Sequence, residues 1–251
     1  MNFRIIHITE TDSTNRWLSD LSEAEREADI VVATDYQTAG RGCGTNRWES
    51  MRGQNLLFSI LAHPTAILAR RQFAVSMITA LAITDALDRH IGEGLSIKWP
   101  NDIYWHDRKL CGILIENRLW GDRLRESIIG VGLNVNQKAF FSDAPNPVSL
   151  FQITGQETDR NGLLSEVVEA FGRRLQDCCQ ELQENADAAY DHLNREYNRR
   201  LYRSRGFHAY RDKDGTFEAE LLTVEDDGTL VLSDRDRRQR RYAFKEVAFI
   251  I

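Results

Sequence analysis

Lys98-Trp99-Pro100-Asn101-Asp102, followed shortly by Arg108-Lys109-Leu110-Cys111-Gly112, decides how this chain is read. Around one proline the stretch gathers two lysines, an arginine, an asparagine and a carboxylate, yet apolar, strand-like runs bound it. A strand needs none of that chemistry. A site that handles phosphate, a metal and a buried acyl group does.

Working outward, residues 95–99 read as a strand that Pro100 interrupts, because proline withdraws a ladder donor. Residues 103–105 resume it, and 106–108 form a turn. Residues 110–116 are apolar and β-branched, Gly121-Asp122 reverses the chain, and 127–136 return, so an antiparallel meander is expected. Gly130 and Gly132 alternate and therefore share a face. Glycine weakens strands, so a pair on one face signals close approach by a ligand or a packed ring.

Upstream, residues 30–34 form a short buried strand that feeds the loop Gln37 to Trp48. Gly40, Gly42 and Gly44 leave backbone amides free to approach a phosphate, and Arg41 and Arg47 add fixed charge. The spacing is neither G-x-G-x-x-G nor a Walker A loop, and a bare turn is the alternative. Residues 55–61 are another apolar strand. Before the loop, residues 2–8 read as a first strand. The polar run Glu10 to Asn15, ahead of Trp17, Leu18 and Leu21, reads as a helix start with Ser13 or Thr14 as its cap.

A long core helix is expected to open at Pro64-Thr65 and carry Phe73, Met77 and Leu81, with Gly92 and Gly94 beyond its end. Residues 139–147 are loop-like and are expected to be mobile and to close over a ligand. Leu163, Leu164, Val167, Val168, Phe171 and Leu175 mark an amphipathic helix, and 191–201 a further one. From about Ser204 the pattern changes to short runs separated by the hairpin signals Asp214-Gly215 and Asp227-Gly228. We read 1–203 as one domain and 204–251 as a small β-barrel domain. The arginines at 235, 237, 238, 240 and 241 suit a solvated hairpin better than a nucleic-acid arm.

The 251 residues carry 32 basic and 38 acidic side chains, a net charge of −6, which disfavours DNA or RNA as the default partner. With 42% hydrophobic residues the chain can bury a real core. The first residues are too short and polar for a signal peptide, and no run approaches a membrane span. Four cysteines without a C-x-x-C pair point to a reduced, cytoplasmic protein.

Taken in order, Ser13-Thr14-Asn15, Gln37 with Gly40-Arg41-Gly42, Trp48, Lys98 to Asp102, Arg108-Lys109-Leu110 with Gly112, and Gly130-Val131-Gly132-Leu133-Asn134-Val135 resemble the biotin protein ligases. Lys-Trp-Pro-Asn-Asp followed by Arg-Lys-Leu-x-Gly-Ile-Leu carries most of that resemblance. It is close over residues 9–136 and looser through Gly228-Thr229-Leu230 and Glu246-Val247. It implies an α+β fold: a central mixed, mostly antiparallel sheet with helices, of the class II aminoacyl-tRNA-synthetase-like, biotin/lipoate ligase type. A C-terminal SH3-like β-barrel follows. It also implies ATP and biotin as substrates, Mg²⁺, a biotinyl-5′-AMP intermediate, and transfer of biotin to a lysine of a biotin carboxyl carrier protein domain of a biotin-dependent carboxylase.

The resemblance also implies roles. Lys109 and Arg41 would be catalytic, neutralising a carboxylate and a triphosphate that repel each other. Ser13, Thr14, Asn15, Gln37, Gly112, Gly130 and Gly132 would bind biotin. Gly40, Arg41, Gly42, Cys43, Trp48, Lys98, Asn101, Lys109 and Asn134 would bind ATP or the adenylate, with Trp48 on the adenine. Asp102 and Asn134 would be Mg²⁺ ligands or near-ligands. Many relatives carry arginine or glutamine where Cys43 stands, so looser retention of the adenylate is expected. With no N-terminal winged helix, operator DNA is not an expected partner. Some relatives dimerise through sheet edges, so a homodimer is one expectation. The alternatives are a lipoate–protein ligase or octanoyltransferase of the same fold, which lack Lys-Trp-Pro-Asn-Asp, and a non-catalytic biotin-binding protein.

Overall fold

The computed structural model describes residues 1, 3–42, 44, 47–142 and 144–251. Seven strands form one sheet: β1 (Arg4–Thr11), β2 (Ile30–Gln37), β3 (Leu56–Ala62), β4 (Leu95–Lys98), β5 (Asp102–Trp105), β6 (Arg108–Trp120) and β7 (Arg123–Leu133). Their spatial order is β1-β2-β3-β7-β6-β5-β4. Only β1 and β2 run parallel; every other pair is antiparallel. The sheet is thus mixed and mostly antiparallel, and 102–133 form the expected meander.

The two faces of the sheet are covered differently. One packs on α2 (Phe73–Leu87), which in turn meets α4 (Arg160–Glu184) and α5 (Ala186–Arg199). Nearly every residue of α2 is buried, as its continuous apolar sequence requires when helices and sheet enclose it on all sides. On the opposite face, α1 (Thr14–Ser19) seals a smaller cluster of Leu18, Ile30, Val32, Leu61 and Ile128. Beside α1 that face is open, and the cavity lies there.

The long core helix starts later than its periodicity predicts. Residues 66–69 instead pair with the start of β7: Ala69 N donates to Asp122 O (2.7 Å), Leu124 N to Ile67 O (3.0 Å), and Leu68 bridges Arg123. Those bonds hold the segment extended until the single turn Ala69–Arg71 leads into α2. Short α3 (Leu150–Thr154) precedes α4 and is closed by a reciprocal Ser149–Gln152 capping box.

After α5 the chain builds a second, wholly antiparallel sheet from β8 (Phe207–Asp212), β9 (Gly215–Val224), β10 (Leu230–Asp234), β11 (Gln239–Tyr242) and β12 (Ala248–Phe249), ordered β11-β10-β9-β8-β12. Specific contacts seat it on the first. Asn198 Oδ1 accepts from Val224 N (2.7 Å), while the Asn194 and Asn198 amides donate to Val224 O. Trp99 Nε1 donates to Gly228 O (2.9 Å), and Arg71 pairs with Asp226. Three of the five arginines of the β10–β11 hairpin are ion-paired: Arg235 with Glu218, Arg240 with Asp212 and Asp234, Arg241 with Glu225. Cys111 on β6 is completely buried.

Candidate active site

Where the open face of the large sheet meets the second sheet lies a cavity of about 470 Å³. Its floor is backbone. Gly112 pairs with Gly132, and Leu114 with Gly130, so three glycines leave a trough across β6 and β7. Trp48 fills part of it. A Cβ at Gly132 would lie 2.5 Å from the indole, and one at Gly112 2.9 Å from it. A Cβ at Gly130 would collide with Asn15 Oδ1. The close approach inferred from the paired glycines is therefore made by a packed ring and an amide. The indole Nε1 is buried without a hydrogen-bond partner among the described residues. An unpaired buried N–H costs about 1–3 kcal/mol, so the ring rests there at some expense.

At one end of the trough stand Ser13, Thr14, Asn15 and Gln37. Ser13 is the N-cap of α1 by position, but its side chain makes no cap bond. Gln37 Oε1 takes that role instead, accepting from Thr14 N (2.8 Å) and Thr14 Oγ1 (3.1 Å). The hydroxyl of Ser13 is thus released from capping, and it faces the cavity. Asn15 Nδ2 donates to Glu116 Oε2 (2.7 Å), and Ser59 Oγ lies 2.6 Å from Asn15 Oδ1 and 2.7 Å from Thr14 Oγ1. Ser59 and Glu116 were not anticipated. Ser59 had a signal, a hydroxyl in mid-strand within an otherwise apolar buried run.

The other end holds Lys98, Lys109 and Asp102, the one carboxylate on the wall among the described residues. Arg41, Arg47 and Lys245 also border the cavity, and Arg41 reaches the Asn15 end, where Glu116 meets both. Lys109 Nζ lies 2.8 Å from Asp102 Oδ2 and 5.6 Å from the centre of the Trp48 ring. A β-bulge puts it there. Ile103 pairs with Cys111 but Tyr104 with Lys109, so Leu110 is an extra residue on β6. Without it Lys109 and Gly112, three positions apart, would face opposite sides; the bulge re-aims the lysine into the trough. Lys98 Nζ sits between two rings, 5.1 Å from Tyr104 and 5.0 Å from Phe249. Burial pushes its pKa down; Asp102 opposes this, and Lys109 and Arg203 add to it.

The glycine-rich loop closes at a two-stranded neck, where Arg41 bridges Arg47 and Trp48 N donates to Gly40 O (3.1 Å). Gly42 borders the cavity and Arg41 pairs with Glu116 at 3.6 Å, whereas Gly40 stays in the neck, off the cavity wall. Cys43 lies outside the described residues. Trp99–Pro100 is cis, and Asn101 caps the turn by donating its amide to Ile113 O.

Asn134 departs from its expected place. It is buried and does not line the cavity. Its amide donates to Val148 O (3.0 Å), bracing the strand that carries Lys109. Its Oδ1 has no partner among the described residues. Phe244, Lys245 and Val247, between β11 and β12, and Phe249 of β12 complete the wall; only Val247 fell within the looser resemblance, and it was given no site role.

Residues 7–134 match the family model described as the biotin/lipoate A/B protein ligase family. The chain belongs to that family. Among relatives of this biotin/lipoate ligase family member, the bifunctional ligase/repressor BirA of Bacillus spizizenii is 28% identical over 97% of this chain and 73% of its own length. The biotin–[acetyl-CoA-carboxylase] ligase of Paracoccus denitrificans is 32% identical over 66% of this chain and 70% of its own. The fold matches that of the biotin protein ligase from Aquifex aeolicus in complex with biotin and ATP, with a TM-score of 0.76 at 23% identity, covering 98% of this chain and 97% of that one.

Proposed function

We propose that the chain is an ATP-dependent biotin–protein ligase. The observation that carries this is one cavity with two chemistries: a glycine-floored trough with polar groups at its closed end, running into a cationic end around Lys109. The trough suits a flat, largely apolar acid with a polar head. Ser13, Thr14 and Gln37 would meet the ureido ring, and Gly112, Gly130 and Gly132 would underlie ring and tail once Trp48 lifts. The carboxylate would then emerge beside Lys109.

In the first step a carboxylate oxygen of biotin attacks the α-phosphorus of ATP. The new O–P bond forms as the bond to the β-phosphate bridging oxygen breaks, and pyrophosphate leaves. Lys109 neutralises charge between the two anions, held in place by Asp102; Arg41 and Lys98 add positive potential for the nucleotide phosphates. In the second step the neutral ε-amine of a carrier lysine attacks the acyl carbon of the mixed anhydride. The C–O bond breaks, AMP leaves, and the nitrogen loses its proton.

Mg²⁺ fits this site only in company with the nucleotide. Among the described residues no three His, Cys, Asp or Glu side chains converge, and Asp102 is the one carboxylate on the wall. Magnesium needs few protein oxygens when phosphates supply the rest, so Asp102 would be its protein contact, and the ion would supply charge neutralisation on the phosphates.

The relatives' names also favour a biotin carboxyl carrier protein domain of a carboxylase as acceptor. The deciding experiment is the intact mass of a carrier domain incubated with enzyme, ATP, Mg²⁺ and either biotin or lipoate. A biotin-dependent gain on one lysine is expected. A gain with lipoate alone, or none, would overturn the reading.

A further inference from the structure

Two segments that flank the cavity are laced side by side. Val135 N donates to Asn55 Oδ1 (3.0 Å), Asn136 N to Gln54 O (2.8 Å), and Met51 N to Gln137 Oε1 (3.0 Å). Gln137 is fully buried, and its Oε1 also accepts from Asn55 Nδ2 (2.6 Å). Its Nε2 points outward to Ala139 O (2.9 Å) and Glu49 Oε1 (3.3 Å). Glu49 is the outermost link. Its Oε1 also accepts from Phe141 N and its Oε2 from Ser142 N, both at 2.8 Å. Partial burial works against ionisation of this carboxyl, but hydrogen bonds from Ser142, Phe141 and Gln137 outweigh it and hold the group below the usual carboxylate range.

Glu49 does not line the cavity, yet it directly follows Trp48, whose ring covers Gly112 and Gly132. On the other side of the site, Asn146 O accepts from Lys109 N (2.7 Å), and Val148 N donates to Lys109 O (2.9 Å).

We propose that Glu49 is a positioning residue for ligand capture: by clamping residues 141–142 it fixes the backbone from which Trp48 stands over the glycine trough. The inference rests on the reading of the trough as the biotin slot. A ligand entering the trough must lift the indole, and the clamp supplies the anchored stem about which the ring returns to cover it. Without the clamp the stem is loose and the ligand leaves sooner. Glutamine at this position keeps the size but turns one terminal oxygen into an N–H donor, which cannot accept from Ser142 N.

Two measurements on the full chain test this with Glu49→Gln. The first needs no ligand. Amide hydrogen exchange of the free variant should be about tenfold faster at residues 141–142 and also across 47–50, with the melting temperature nearly unchanged, as expected for loss of one charge-assisted hydrogen bond. Faster exchange at 141–142 alone, with 47–50 unaffected, overturns the proposal. The second is the biotin off-rate in wild type, Glu49→Gln, Trp48→Ala and the double variant. Glu49→Gln should speed release about tenfold in the wild-type background and change it little when Trp48 is absent, because the two act as a unit. Equal acceleration in both backgrounds overturns it. A wild type that takes up no biotin would sink the slot reading, while hydrogen exchange would still decide whether Glu49 fixes the Trp48 stem.

Discussion

Lys109 Nζ stands 2.8 Å from Asp102 Oδ2 across the pairing of β5 with β6, and both side chains face the cavity. The pair is only partly screened from solvent, so its interest is geometric: the carboxylate aims the ammonium at the mouth of the trough. Lys109→Ala should lower biotin-dependent ATP–pyrophosphate exchange by about 10²–10³, the usual effect of removing one group that stabilises developing charge. The fold should survive, because the ammonium contributes little packing. Near-normal exchange would refute the catalytic role of Lys109.

The trough makes a steric prediction. A methyl at Gly132 would sit 2.5 Å from the indole of Trp48, whereas nothing lies within 4 Å of one at Gly92. Gly132→Ala should displace Trp48 and weaken biotin binding by at least about tenfold, roughly the cost of overpacking by one methyl. Gly92→Ala, as a control, should leave binding alone. Calorimetric titration of both variants checks this, and equal affinities would mean that the trough is not the biotin slot.

Lys98 predicts an alkaline limit. Because burial lowers its pKa, it loses its charge at a lower pH than an ordinary lysine; Asp102, Lys109, Arg203 and the rings of Tyr104 and Phe249 surround it. The cation is present below its pKa and lost above it. KM for ATP should therefore rise as pH climbs toward the range of a free lysine, about 10.4. Lys98→Arg, which stays charged, should remove that limb from the profile. An unchanged profile in the variant would show that Lys98 does not meet the nucleotide.

His63 predicts a pH effect on stability instead. Its hydrogen bond to Asp29 raises its pKa; burial opposes this, and the charges of Asp29 and Glu126 support it. The protonated form is favoured in the folded state. This stabilisation is fully present below the unfolded value of about 6.5 and disappears as pH rises through the higher folded value. The melting temperature should therefore hold below about pH 6.5 and fall as pH rises above it. His63→Gln should flatten that slope, and an identical slope would remove His63 from the account.

Much of this architecture was legible in the residues, and the gaps have physical causes. The meander 102–133 and the shared face of Gly130 and Gly132 followed from alternation, because a strand's period of two sorts side chains without knowledge of the rest; Gly112, on another strand, came from the resemblance. Alternation also misleads at Lys109, since the extra residue Leu110 shifts the register without any glycine or proline to announce it. The start of α2 was misplaced because 66–69 pair with β7, a contact distant in sequence that overrides local propensity. The resemblance made Asn134 a ligand or near-ligand, and alternation would place it on the face of Gly130 and Gly132; but β7 ends at Leu133, and the Asn134 amide is bonded to Val148 O. Phe244 to Phe249 were given no place at the site, although Glu246-Val247 fell within the looser resemblance. Their place depends on how Val224 and Gly228 seat the second sheet, which no local pattern encodes.

Cys111 lies in the bulged stretch between Lys109 and Gly112, wholly buried, and burial pushes its thiol pKa far up. A thiol so placed, in the core that the sheet shares with the helices, meets an alkylating reagent only when that packing opens. Its labelling rate thus times the opening of the core beneath the site, with no introduced probe. Cys179, half-buried on α4, samples the helical layer and gives the reference rate. The sheet carries its own clock beside the lysine proposed for the chemistry.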